Sequence, residues 1–178
     1  ARGGGGGGAR AVAAGAGGGG GVGLFEGGGS RAGETPKGLM NAFCVFGAGR
    51  GDGAFVSVGD VDGDGVGGLI AGAGSGGSPH VVVVSGRALF AVGAEAAVAG
   101  PIASFFAADS SSRNGARVAA KDLDGDRFAD IVVAAPLAAG RKVLGFRESD
   151  LIAPGQPMAF AHYTTDLAAT PTNVSLGA

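Results

Sequence analysis

Two short acidic stretches, Asp60-Val-Asp-Gly-Asp-Gly65 and Asp122-Leu-Asp-Gly-Asp-Arg127, stand 62 positions apart in closely similar surroundings. Ala54-Phe-Val-Ser-Val-Gly59 precedes the first and Ala116-Arg-Val-Ala-Ala-Lys121 the second. Downstream, Leu69-Ile-Ala-Gly-Ala-Gly74 matches Ile131-Val-Val-Ala-Ala-Pro136. A long-period repeat of this kind constrains the fold more than composition does. Each unit is one supersecondary block that buries its apolar face against its neighbours.

Anchoring on the acidic stretches divides the chain into units 1–59, 60–121 and 122–178. In the middle unit, 68–73, 80–85, 102–107 and 116–121 are β-branched or aromatic runs bounded by Gly, Ser, Pro and Asn clusters, which predicts four strands. The first unit repeats the order at 11–16, 22–26, 40–46 and 54–59, and the third at 130–135, 142–146, 158–163 and 173–176. No window shows a helical period with caps. The apolar stretch 88–106 is interrupted by Gly100-Pro101, and its counterpart in the first unit is polar, so it reads as a connection rather than a membrane span. The expected fold is all-β: propeller-like blades of four antiparallel strands, about three of them. Further repeats or a second copy would have to close the ring, because propellers use about four to eight blades.

The acidic stretches carry the chemistry. Asp60, Asp62 and Asp64 occupy loop positions 1, 3 and 5, as do Asp122, Asp124 and Asp126, and alternate carboxylates wrap oxygen around a hard cation such as Ca²⁺. Val66 and Phe128 at position 7 would contribute their carbonyls. Position 9 separates the loops, being Asp130 in the second and Gly68 in the first. The second loop should therefore bind more tightly, and Gly68→Asp should raise the first towards it. Position 12 holds Ala71 or Val133 where an EF-hand has Glu, so an EF-hand is excluded. The alternative without an ion is an Asp/Gly turn, but a simple turn gains nothing from three crowded carboxylates.

With these residues in view, Val58-Gly-Asp-Val-Asp-Gly-Asp-Gly65 and Gly72-Ala-Gly-Ser-Gly-Gly-Ser-Pro-His-Val81 resemble the FG-GAP/VCBS-type repeats of bacterial surface and secreted proteins. The resemblance spans residues 54–147, although Gly53-Ala54 and Gly115-Ala116 stand where that family has Phe-Gly. It implies β-propeller blades with Ca²⁺ in an inter-strand loop, as in the integrin α-subunit head. It also implies an extracellular or cell-surface location and partners among proteins or cell-surface glycans.

Other signals are weaker. The 13 basic and 15 acidic residues give a net charge of −2, with no basic cluster for nucleic acid. Gly72–Gly77 matches G-x-G-x-x-G, but a strand rather than a helix is expected after it, which removes the phosphate-binding helix terminus. His80 is expected to pack at a strand start, and neither it nor His162 has a nucleophile nearby in sequence. Arg50-Gly-Asp52 and the sequon Asn173-Val-Ser175 are common by chance. Cys44 is the only cysteine and reads as a small buried hydrophobe. The first residue is Ala1 and no leader is visible, so the sequence reads as a fragment of a longer chain. The tract Gly3–Gly8 offers no side-chain oxygen and is expected to hold no ion and to order poorly.

The leading expectation is a non-catalytic, Ca²⁺-stabilised scaffold or adhesion module. A carbohydrate-binding propeller is the alternative, with no Trp and one Tyr to supply platforms. A non-catalytic part of a secreted hydrolase or lyase is the third.

Overall fold

The computed structural model describes residues 9–13, 21–26, 37–47, 52–137, 140–153 and 156–165. Their strands form three antiparallel sheets, each following chain order. β1 (Ala9–Ala13), β2 (Gly21–Glu26) and β3 (Gly38–Cys44) make the first. The second contains β4 (Ala54–Gly59), β5 (Gly68–Ala73), β6 (His80–Val84) and β7 (Ala103–Phe106). The third contains β8 (Arg117–Lys121), β9 (Asp130–Leu137), β10 (Gly140–Phe146) and β11 (Ala161–Thr165). This is the expected all-β, propeller-like arrangement.

The sheets are out of phase with the sequence units. β4, read as the end of unit 1–59, is the first strand of the second sheet, and β8 likewise opens the third. Each acidic loop is thus a connection inside a sheet, closed by the pairs Gly59↔Gly68 and Lys121↔Asp130. The first sheet has three strands among the described residues, not four. The expectations for Gly3–Gly8, Arg50, 173–176 and the sequon lie outside the described residues.

Four consecutive valines in β6 are explained by burial on both faces. Val81 and Val83 enter a core shared with the third sheet, among Ile70, Phe105, Val118, Ile131, Val133 and Phe146. Val82 and Val84 point the other way, towards Val22 and Leu24 of the first sheet. Strand side chains alternate between faces, so a sheet packed on both sides reads as an unbroken apolar run. Each such side chain, fully buried, contributes about 1.5–3 kcal/mol. Phe105 meets Phe146 across the interface at a centroid distance of 4.8 Å. The two sheets also share a hydrogen bond, from Ala120 N–H to Ser57 Oγ at 3.0 Å.

The connection between β6 and β7 leads into a strand as expected, but its first part is helical, where the sequence shows no helical period. α1 (Gly86–Val92) and α2 (Ala94–Ala99) fill it, separated by Gly93 at φ 86°. Ser85 Oγ accepts from Ala88 N–H at 3.4 Å, capping the start of α1. Leu89 and Ala97 are buried against the second sheet beside Leu69 and Val84. Neither helix reaches two full turns, so the residues could not display a period. α3 (Glu148–Ile152) is shorter still and follows β10. Among the described residues no helix is long and apolar enough to cross a membrane.

Candidate metal centre

The first acidic loop, between β4 and β5, is folded by its own carboxylates. Asp60 Oδ2 accepts from Gly65 N–H at 3.0 Å, and Asp64 Oδ1 accepts from Val66 N–H at 2.7 Å. Gly63 at φ 70° and Gly65 at φ 80° provide the left-handed turns. Oxygens of Asp60, Asp62 and Asp64 consequently lie within 4.8 Å of one another. Asp60 Oδ1 and Asp62 Oδ1 are buried without a hydrogen-bond partner. Like charges this close repel by about 1–3 kcal/mol per pair, between water-like and protein-like dielectrics. Arg87, from α1, answers part of that charge. Its Nε lies 3.0 Å from Asp64 Oδ2, and a terminal nitrogen donates to the Asp64 carbonyl at 3.0 Å. The Val66 N–H, and secondarily Arg87, hold the Asp64 carboxyl below its ordinary range.

The second loop repeats the first and then adds to it. Asp122 Oδ2 accepts from Arg127 N–H at 3.0 Å, the same bond that Gly65 makes in the first loop. Asp122 Oδ1 takes Gly125 N–H at 2.6 Å, and Asp126 Oδ1 takes Phe128 N–H at 2.8 Å. Asp130 is fully buried, with Oδ2 accepting from Leu123 N–H at 2.8 Å and Oδ1 from Glu148 N–H at 3.3 Å. Two carboxylate triads result, Asp122/Asp124/Asp130 and Asp124/Asp126/Glu148, each with oxygens within 4.8 Å. Arg147 Nε lies 3.5 Å from Asp124 Oδ2. Glu148 is the residue that sequence reasoning missed. Burial, and then its hydrogen bond with Asp130, push its carboxyl above the ordinary range. Val66 and Phe128, expected through their carbonyls, join the hydrogen bonding of their loops through N–H groups.

Arg127 has φ 80°, the only positive-φ residue other than glycine among those described, and it aligns with Gly65. A side chain in that conformation costs about 1 kcal/mol or more. Arg127→Gly should therefore raise stability by up to about 1 kcal/mol, read as a higher urea midpoint at unchanged slope. A lower midpoint would assign the Arg127 side chain a stabilising contact that outweighs the strain.

Position 9 of the first loop has no room for the acid that sequence comparison invites. A Cβ on Gly68 would stand 2.8 Å from the Val84 carbonyl oxygen and 3.6 Å from Gly86 N. Gly68→Asp is thus expected to destabilise by about 1–3 kcal/mol, with no gain in cation affinity at this loop. Thermal melts and calorimetric titration of the variant check both halves.

An FG-GAP repeat model matches residues 114–144. That stretch is similar to one FG-GAP repeat. The match takes in β8, the second acidic loop, β9 and most of β10. Comparisons with curated proteins and with solved structures gave no match. The second sheet has the same strand order around its own acidic loop, although the family match lies on the third. All the loop donors are oxygen, which suits a hard divalent cation, and the unpartnered Asp60 and Asp62 oxygens are what such an ion would satisfy.

The remaining candidates fall elsewhere. His80 begins β6, its Nε2 2.8 Å from Ser104 Oγ and its ring stacked on Phe106 at 4.9 Å. With Phe46, Asp52 and Ser78 it lines a cavity of about 410 Å³. Asp52 is half-buried there rather than displayed. Gly72–Gly77 joins β5 to β6 with no helix after it, so no phosphate-binding terminus forms. His162 lies in β11 and Cys44 closes β3.

Proposed function

We propose that this chain is a non-catalytic, calcium-binding FG-GAP repeat module, a scaffold or adhesion element of an extracellular or cell-surface protein. One observation carries the reading. Asp60 Oδ1 and Asp62 Oδ1 are buried and unpartnered inside a cluster of three carboxylates. Folding has gathered charge that Arg87 offsets only in part, so binding of an ion would become folding free energy. Calcium suits the irregular all-protein oxygen cage better than the smaller, strictly octahedral magnesium. Affinities near ~10⁻⁴–10⁻³ M, as in extracellular modules, would match a calcium-rich exterior.

The expected result is a melting temperature that rises with Ca²⁺ and falls in chelator. At a Ca²⁺ concentration of about one hundred times Kd, each site adds about 2.7 kcal/mol. An equal response to Mg²⁺, or none to Ca²⁺, would overturn the reading. A glycan partner is the second possibility, favoured by the aromatic lining of the 410 Å³ cavity. A glycan array, repeated with Phe106→Ala, separates it from pure scaffolding. An activity screen in Ca²⁺ tests the non-catalytic part of the proposal.

A further inference from the structure

We propose that Glu148, which lies outside the acidic loop at the start of α3, is a ligand of the cation held by the 122–130 loop. This rests on the calcium reading above but goes beyond the loop. Glu148 is 9 % exposed, and its Oε2 has no hydrogen-bond partner. An oxygen of this side chain lies within 4.8 Å of oxygens from Asp124 and Asp126. Arg147, the nearest basic residue in sequence, does not answer it. That side chain turns to Asp124 and packs over the Phe160 ring. A buried carboxylate beside two others, with one oxygen unsatisfied, is in the position of a ligand.

The internal repeat supplies an independent argument. At the 62-residue offset, Asp130 aligns with Gly68 and Glu148 with Gly86. In the third sheet the two acids are joined, Glu148 N–H donating to Asp130 Oδ1 at 3.3 Å. In the second sheet the two glycines pack backbone against backbone. A Cβ on Gly86 would run into the Gly67 carbonyl oxygen, and one on Gly68 into that of Val84. Both acids accompany one loop, and both are missing beside the other. The next residue of α1, Arg87, instead brings positive charge to the first loop through Asp64. One structural position, the start of the helix after the third strand, thus sets the charge of each loop. It supplies a guanidinium to both loops, Arg87 to Asp64 and Arg147 to Asp124, and adds a carboxylate in the third sheet alone.

The test is calorimetric titration of Ca²⁺ into the full chain, comparing wild type with Glu148→Gln and Glu148→Asp. Gln preserves shape and would mimic a carboxyl that is merely neutral and buried. Glu148→Gln should weaken the tighter class of sites by about tenfold or more and leave the weaker class unmoved. Terbium luminescence lifetimes should then show one more water on the ion in the tighter site. Glu148→Asp keeps the charge but shortens the reach, and should lose part of the affinity. It decides the matter alone if the amide variant does not fold. A titration unchanged by either substitution, with wild-type binding intact, overturns the role of Glu148 and leaves the calcium reading standing. A wild-type chain that binds no Ca²⁺ overturns both.

Discussion

Gly72→Val should destabilise the protein by about 3 kcal/mol or more. Gly72 lies in β5 on the face that the third sheet covers, and a Cβ there would run into the Ala116 carbonyl oxygen and press on Val118 Cγ1. The obstacle is backbone, so no rotamer change relieves it. The two sheets would have to separate, and Ile70, Val81 and Val83 would lose their partners across the core. Urea unfolding measures the loss. Gly38→Ala is the control, since a Cβ there meets nothing within 4 Å, and it should shift stability by less than about 1 kcal/mol. Equal behaviour of the two variants would mean that the second and third sheets do not pack as described.

Asp130→Ala should be nearly as damaging, for a different reason. The carboxylate is fully buried and accepts from two backbone donors, Leu123 N–H and Glu148 N–H. Truncation strands both, at about 1–3 kcal/mol for each buried group left unpaired. Without cation, the relief of repulsion from Glu148 and Asp122 returns part of this. The loss should therefore be larger in Ca²⁺ than in chelator, and the tighter class of binding sites should vanish. Hydrogen exchange adds a local readout, because the Leu123 and Glu148 amides should exchange faster while those of β6 do not. If the loss were the same with and without Ca²⁺, Asp130 would be a structural staple alone.

Much of this was legible in the sequence because the informative elements are local. A short apolar run between Gly-rich turns declares itself, and β5 falls at 68–73 as read. A carboxylate at every second position of a turn likewise points to one side of it. What was not legible depends on distant parts of the chain meeting. α1 and α2 are too short for a period, and their alanines are apolar all round; only the sheet beneath selects Leu89 and Ala97 for burial. Glu148 reaches the second loop from beyond β10, and no local spacing announces it. The available signal was the pair of matching exchanges, Gly68 for Asp130 and Gly86 for Glu148, at one offset. The room at position 68 was invisible too, since the Val84 carbonyl that fills it belongs to a neighbouring strand.

The contact between the two loops separates how tightly an ion is held from how long it stays. Phe128 projects from the second loop onto the first, its ring 2.7 Å from where a Cβ on Gly63 would stand, while Ala129 N–H donates to the Asp60 carbonyl at 2.8 Å. Asp60, Asp62 and Asp64 are accordingly half-buried, whereas Asp122, Asp124 and Asp126 are exposed. The third sheet thus roofs the loop of the second. An ion held by the first loop would therefore sit partly beneath the Phe128 ring. An ion in the second loop meets solvent directly. The loop expected to bind more weakly would then also be the slower to empty, an order that ligand count alone would reverse.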